Sequence, residues 1–268
     1  MKAIFNSRLI EIDSLTLNSK NRAFCYGDGL FETIVTGPNR INLTDFHLER
    51  LTRACSVLHL NPPPFSSHDL KEMIYQLTDL NELNGCLRAR IQVWREDGGL
   101  YSPERSASSF LLEVVETTKP AFSQKGSIGL STLSKISHTA ISFAKTMSPL
   151  PYVLAGIEMQ QKKLDDIILL DDQGNLAETH SSNLFWIEGD QIFTPSLQTG
   201  CIEGVMRRLI LETLEVTEII AKPERLIKAD SIFSSNASGI CYFNSFRNNE
   251  YSSPEKRLAK VIKLLQPL

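Results

Sequence analysis

No two of the five cysteines in this chain are near neighbours. Cys25, Cys55, Cys86, Cys201 and Cys241 are scattered, odd in number and free of any CxxC pair. That pattern argues against a disulfide framework or a zinc site and suits a reducing, cytoplasmic setting. The histidines, at positions 47, 59, 68, 138 and 180, stand far apart, and no HExxH stretch joins any two, so no metal is expected. GxGxxG, GxxxxGK[ST] and GxSxG are also absent, which removes the common dinucleotide, nucleoside-triphosphate and serine-hydrolase readings. There is no cationic excess: 28 Lys and Arg face 31 Asp and Glu, for a net charge of -3. Nucleic acid and membrane surfaces are therefore not expected partners, since both call for a basic face. No apolar run is long enough to span a bilayer, and the opening MKAIFNSRLIEID has no apolar core of a secretory signal.

What is present suits a soluble globular protein. The chain has 268 residues, 42% of them hydrophobic, enough for one large or two modest domains with real cores. Residues 44–59 read as an amphipathic helix with Thr44 as N-cap and Leu48, Leu51, Cys55 and Leu58 at helical spacing, ended by Asn61-Pro62-Pro63-Pro64. A second helix starts at Ser66 with Leu70, Met73, Ile74 and Leu77 on one face. Residues 87–95 alternate as a half-buried strand, with Arg88, Arg90, Gln92 and Trp94 opposite Leu87, Ala89, Ile91 and Val93. Residues 110–115 form another strand. In the second half, 167–170, 184–187 and 192–194 read as strands, the last two as a hairpin, and 203–216 and 254–265 as helices. The class is α/β (α+β). Thr117-Thr118-Lys119-Pro120 marks the break, giving an N-terminal domain over 1–117, a linker over 118–125 and a C-terminal domain over 126–268 that carries Lys145.

Four groups of residues could carry chemistry. Lys145 sits in Ser142-Phe143-Ala144-Lys145-Thr146-Met147 with no other charge, and a desolvated lysine is a better nucleophile; Lys135 is a rival in a similar setting. Glu178 opens Glu178-Thr179-His180-Ser181-Ser182-Asn183 before an apolar strand, which is either a polar turn or a placed carboxylate. Gly200-Cys201-Ile202-Glu203-Gly204-Val205-Met206-Arg207 leads into a helix, either a simple helix start or a phosphate site at its N-terminus. Arg50, with His47 and Arg53 near it, reads by itself as a solvated helical charge.

Taken together these segments resemble the class IV aminotransferase family, the fold type IV enzymes of pyridoxal 5′-phosphate (PLP), over most of the chain. The strongest part is 178–207: Glu178, Asn183, Leu184-Phe185, Ile192-Phe193-Thr194 and Ile202-Glu203-Gly204-Val205-Met206-Arg207 match the family's spaced positions. His180 departs from it, since the family usually has a small residue there. Tyr26-Gly27-Asp28-Gly29-Leu30-Phe31-Glu32 is similar to the GDG-x-[FY]-E segment, Phe46-His47-Leu48-Glu49-Arg50-Leu51 to the His-x-x-Arg-Leu helix, and Ser234-Ser235-Asn236-Ala237 to a phosphate loop.

The resemblance implies a two-domain fold like that of D-amino acid aminotransferase and PLP as cofactor, with Lys145, ahead of Glu178 at the family's distance, as the residue that carries it. It also implies Glu178 opposite the ring nitrogen, a phosphate held by Arg50, Asn236 and the backbone of Val205 and Met206, and a homodimer. Within the family the expected activity is that of a 4-amino-4-deoxychorismate lyase, releasing 4-aminobenzoate and pyruvate. The Ser235-Asn236-Ala237 loop, the stretch from Arg95 to Ser102 and the short chain favour it over an aminotransferase of D- or branched-chain amino acids. Arg95, Arg88 and Arg90 are the candidates for the substrate carboxylates, and Arg88 and Arg90 read equally as a solvated strand face.

Overall fold

The computed structural model describes residues 1–37, 43–117 and 121–265. Thr118, Lys119 and Pro120, at the expected linker, lie outside the described residues. The chain divides into two compact units, Met1–Thr118 with Ala144–Ser148, and Lys119–Phe143 with Pro149–Leu268.

The first unit is an antiparallel sheet with helices. Its strands are β1 (Lys2–Phe5), β2 (Arg8–Glu11), β3 (Gly29–Thr36), β4 (Leu87–Arg95) and β5 (Ser108–Glu116), in the order β2-β1-β5-β4-β3. Its helices are α1 (Arg22–Tyr26), α2 (Thr44–Val57) and α3 (Ser67–Leu80). Ser66 caps α3 through a reciprocal capping box with Asp69, and Leu70, Ile74 and Leu77 form its buried stripe. The strand over 87–95 has the expected bounds, although Trp94 and Arg95 are buried with the apolar face.

Helix α2 corrects the expected pattern. Its N-cap is Leu43, and its buried residues are Thr44, His47, Arg50, Leu51, Ala54 and Cys55. Leu51 and Cys55 of the expected stripe are buried and Leu48 and Leu58 half-buried, so the buried face is shifted towards His47 and Ala54, and Arg50 is buried instead of solvated. A purely hydrophobic reading of periodicity misses this, because His47 and Arg50 go inside only when a buried partner meets them.

The second unit holds β6 (Phe122–Ile136), β7 (Asp166–Asp171), β8 (Leu176–Thr179), β9 (Asn183–Glu188), β10 (Gln191–Pro195), β11 (Val216–Ile219), β12 (Ser231–Asn236), β13 (Gly239–Phe246) and β14 (Asn249–Glu250). Its helices are α4 (Leu150–Gln161), α5 (Val205–Thr213) and α6 (Glu255–Leu265). Strand β6 starts inside the interval 118–125 assigned to a linker. The pairing order β9-β12-β13-β6-β7-β8 returns to β9 through the Glu178–Asn183 pair, so the sheet closes into a ring. Ile168, Leu184, Trp186, Ile232 and Phe243 fill one core against it. The β9–β10 hairpin turns at Gly189, in left-handed backbone at φ 58°. The helix expected over 203–216 is shorter, because 216–219 form β11 beside β10.

The five residues Ala144–Ser148 pack with the first unit, although the sequence reading carried them in the C-terminal domain. The Phe31 N–H donates to the Lys145 carbonyl at 2.9 Å, the Met147 N–H to the Gly29 carbonyl at 2.9 Å, and Leu30 bridges Thr146. Edge strand β3 has an open row of backbone donors and acceptors, and this short segment satisfies it. Such a pairing leaves no mark in local sequence.

Candidate active site

In the first unit Lys145 lies on the backbone rail that β3 provides. Its Nζ is 5.7 Å from the centre of the Phe31 ring. The guanidinium carbon of Arg90 is 4.8 Å from the centre of the same ring. An amine and a cation thus share one aromatic side chain. Arg88 lies across from Val35, further along β3 from Phe31, and is exposed. The rival Lys135 is an exposed residue of β6, with its amine 3.5 Å from the Asp172 carbonyl. The structure places it in a different unit from Lys145.

On the other face of β3, Glu32 is 2% exposed and meets α2. Arg50 donates from Nε to Oε1 at 2.8 Å and from Nη2 to Oε2 at 2.5 Å. His47 lies 2.6 Å from Oε2 through Nδ1. Burial by itself would raise the Glu32 carboxyl, but the Arg50 charge and the His47 and Arg50 hydrogen bonds outweigh it and hold the pKa at about 2. Burial also lowers the His47 pKa, so the ring is neutral and its Nδ1 carries the proton given to the carboxylate. Glu32 and His47 were visible in their motifs but had no role assigned. The available signal was a carboxylate inside the apolar run Leu30 to Val35.

Because the folded pKa of Glu32, about 2, lies below its ordinary 4.5, its ionisation stabilises the fold fully above about pH 4.5. That contribution is lost as pH falls towards about 2, with roughly 2 kcal/mol gone by pH 3. The stability gap between wild type and Glu32→Gln, measured by denaturant unfolding, is expected to narrow by that amount from pH 5 to pH 3.

Arg95 does not fit its expected role. The side chain is buried, and its Nε donates to Asp28 Oδ2 at 2.9 Å. Nη1 donates to the carbonyls of His59 at 3.2 Å and Arg105 at 3.0 Å, and Nη2 to that of Leu58 at 2.6 Å. Arg22 joins the same Asp28 oxygen at 2.8 Å and binds the carbonyls of Gly98, Gly99 and Leu100. Arg95 thus ties Asp28 to the backbone of 58–59 and of Arg105, and each of its three nitrogens has a protein partner. Arg95→Ala is expected to lower stability by roughly 3 kcal/mol, a Tm fall of about 6–12 °C by calorimetry. A rise in KM at unchanged Tm would return it to the substrate.

In the second unit Glu178 is 2% exposed at the strand pair that closes the ring. Tyr152 of α4 donates its hydroxyl to Oε1 at 2.7 Å, and the Ile202 N–H reaches the same oxygen at 3.0 Å. The amide of Asn183 lies 3.3 Å from Oε2 and donates at 2.6 Å to the Ile202 carbonyl. Burial and the Glu178 charge push the Tyr152 hydroxyl far above the usual phenol range, so it stays protonated as a donor. These bonds aim the carboxylate and separate it from an ordinary polar turn. Neither Tyr152 nor the Ile202 N–H was identifiable from sequence, since both reach Glu178 across the fold.

Helix α5 begins at Val205 and Met206, its first two residues, behind Gly204 as N-cap with no capping side chain. The first-turn N–H groups have no acceptor within the helix and carry the positive end of its dipole. A Cβ at Gly204 would fall 2.0 Å from Asn183 Oδ1, so only glycine lets the helix start sit on that amide. Arg207 anchors the helix from behind, donating to the Pro195 carbonyl at 3.0 Å and to Glu218 at 2.5 Å. Across β9 and β12, Asn183 stands opposite Ser235, in register with Glu178. Ser235 Oγ, Thr179 Oγ1 and Arg207 Nε are buried without a hydrogen-bond partner. Asn236 spends its side chain on its own surroundings. Its amide donates to Ser182 Oγ at 2.9 Å and the Ser181 carbonyl at 3.3 Å, and its Oδ1 accepts from the Ser238 N–H at 2.8 Å. Asn236 thus shapes the turn with its side chain.

His180, the departure from the family pattern, has Nδ1 2.8 Å from Asp166 Oδ1, and Lys125 binds the other Asp166 oxygen at 2.8 Å. Burial opposes the charge of Asp166, but His180 and Lys125 hold its carboxyl below the usual range. The larger side chain is accommodated by a buried carboxylate. Burial pushes the thiols of Cys55 and Cys201 up to about 11 and about 12, so neither is a nucleophile at neutral pH.

Among the described residues no three His, Cys, Asp or Glu side chains are grouped to hold a metal, and no helix is long and apolar enough to cross a membrane. The chain is similar to the aminodeoxychorismate lyase of Bacillus subtilis, 28% identical over 97% of this chain and 92% of that protein. It is similar to the D-alanine aminotransferase of Bacillus licheniformis, 24% identical over 87% of this chain and 83% of the other. Its fold is that of the branched-chain amino acid aminotransferase of Escherichia coli, with a TM-score of 0.87 at 21% identity, covering 99% of this chain and 94% of that one. The family model for amino-transferase class IV matches residues 29–242, and the chain belongs to that family of PLP-dependent enzymes.

Proposed function

We propose that this enzyme is a PLP-dependent 4-amino-4-deoxychorismate lyase that releases 4-aminobenzoate and pyruvate from one substrate. The residues present suit the cofactor: a lysine on a fixed backbone, an aimed carboxylate at Glu178, an uncapped helix start at Val205 and Met206, and a buried unpaired hydroxyl at Ser235. When bound, PLP supplies an electron sink that stabilises negative charge on the substrate carbon. In this reading Lys145 carries the cofactor and its Nζ then moves the substrate proton, while Glu178 holds the proton at the ring nitrogen. Arg50 and the first turn of α5 hold the phosphate, with Asn236 shaping the loop beside it.

The observation that carries the choice of lyase is the similarity to the Bacillus subtilis lyase along nearly the whole of both chains. Arg90, beside the same ring as Lys145, is then the ligand for a substrate carboxylate. A class IV aminotransferase of D- or branched-chain amino acids is the second reading, favoured by the likeness to the D-alanine enzyme. Free cysteines at all five positions support a reducing, cytoplasmic setting, and a homodimer completes the proposal.

A paired assay separates the two reactions. With aminodeoxychorismate and no 2-oxo acid, catalytic release of pyruvate and 4-aminobenzoate is expected. An aminotransferase given only an amino donor stops after one half-reaction and loses its yellow colour. Rapid bleaching by D-alanine or L-leucine, with no turnover of aminodeoxychorismate, overturns the lyase reading.

A further inference from the structure

Glu32 is a buried carboxylate to which neither the sequence nor the proposed chemistry gives a task. It lies inside β3, pinned on both sides by the β3–β4 ladder and by the bond from Phe31 to the Lys145 carbonyl. Both of its oxygens are directed at Arg50, and one also meets His47. His47 and Arg50 are three residues apart on α2, so they share the face turned to the strand. A planar guanidinium held at Nε and Nη2 by one carboxylate cannot rotate about its own axis or tilt out of the carboxylate plane. The direction of its third nitrogen is then set by the strand, not by the flexible arginine stem.

We propose that Glu32 is the positioning residue for Arg50, fixing the guanidinium in the attitude that grips the cofactor phosphate, with the neutral His47 ring steadying the carboxylate. The inference rests on the reading of Arg50 as a phosphate ligand. Its physical basis is that the net charge of a Glu32–Arg50 pair is zero. Attraction by bulk charge is therefore largely cancelled, and directed hydrogen bonds do the holding. A grip of that kind depends on orientation, which Glu32 controls. Neighbouring residues of β3 thus serve both ends of the site in this unit: Phe31 holds the backbone of Lys145, and Glu32 holds Arg50.

The test is PLP binding to the apoprotein, followed by absorbance and by phosphorus NMR of the bound phosphate, with the melting temperature of each apoprotein as a folding control. Glu32→Gln keeps the shape and removes the charge. It is expected to raise the PLP dissociation constant roughly 10- to 100-fold, the loss of one charge-assisted hydrogen bond, and to move the phosphorus resonance. In an Arg50→Met background the same change is expected to cost less than about 3-fold, because the residue through which Glu32 acts is gone. If the two losses multiply, Glu32 acts on its own account and the proposal falls while the reading of Arg50 stands. If Arg50→Met leaves PLP affinity unchanged, the reading of Arg50 falls and the proposal with it. Should Glu32→Gln fail to fold, Glu32→Asp takes its place, since it keeps the charge and withdraws the carboxylate by one methylene. A dissociation constant within about 2-fold of wild type in that variant overturns the proposal.

Discussion

Lys145→Ala is expected to abolish the visible absorbance of the bound cofactor and nearly all turnover, while leaving the protein folded. The fold should survive because Lys145 is tied into the first unit through backbone: its carbonyl accepts from Phe31, and Thr146 bridges Leu30. Alanine keeps every one of those bonds. What it removes is the amine beside the Phe31 ring. The measurement is an absorption spectrum of wild type and variant in added PLP, with circular dichroism as the folding control. Borohydride reduction and peptide mapping of wild type should then locate the cofactor on 145. Full activity in the variant, or label on Lys135, would sink the assignment.

Glu178→Gln is the second large effect. The amide keeps the size of the carboxylate, so Tyr152 and the Ile202 N–H still find an oxygen at Oε1. Its other end becomes an N–H₂ group turned towards the Asn183 amide, a donor meeting a donor. The variant should therefore bind PLP and remain yellow. Without a negative charge to hold the ring-nitrogen proton, turnover should fall by roughly 10²–10³-fold, the scale of removing one preorganised electrostatic group. Single-turnover absorbance separates binding from chemistry here. Unchanged turnover would return Glu178 to an ordinary polar turn.

Much of this was written in local sequence, for reasons that differ by element. The strand over 87–95 was legible from its alternation, and α3 from Ser66 and the spacing of Leu70, Ile74 and Leu77, because each depends on near neighbours alone. The helix expected over 203–216 was found, but it starts at Val205 behind Gly204 and β11 follows where its end was expected. Helix α2 was found with Leu51 and Cys55 inside as expected, but the burial of His47 and Arg50 was missed, since hydrophobic periodicity scores both as outside. Only a carboxylate from a distant strand, Glu32, makes their burial favourable.

The same division runs through the functional site. The order of residue types along the chain determined the family: a lysine in an uncharged stretch, a glutamate with asparagine five positions on, and a glycine at a helix start. These are fixed by what a cofactor requires of side chains and by spacing along one strand or one turn. The tertiary structure decided which of the candidate residues have donors or charge to offer. It committed Arg95 to Asp28 and three carbonyls, put Arg90 and Lys145 on one ring, drew Ala144–Ser148 onto β3, and gave Glu178 its hydroxyl and N–H partners from α4 and the α5 approach. The physical reason is that a side chain has a fixed number of N–H donors and lone pairs, and those engaged within the protein are not open to a ligand. Whether an arginine or a carboxylate is left for a ligand depends on partners that are remote in sequence and meet only when the chain is folded.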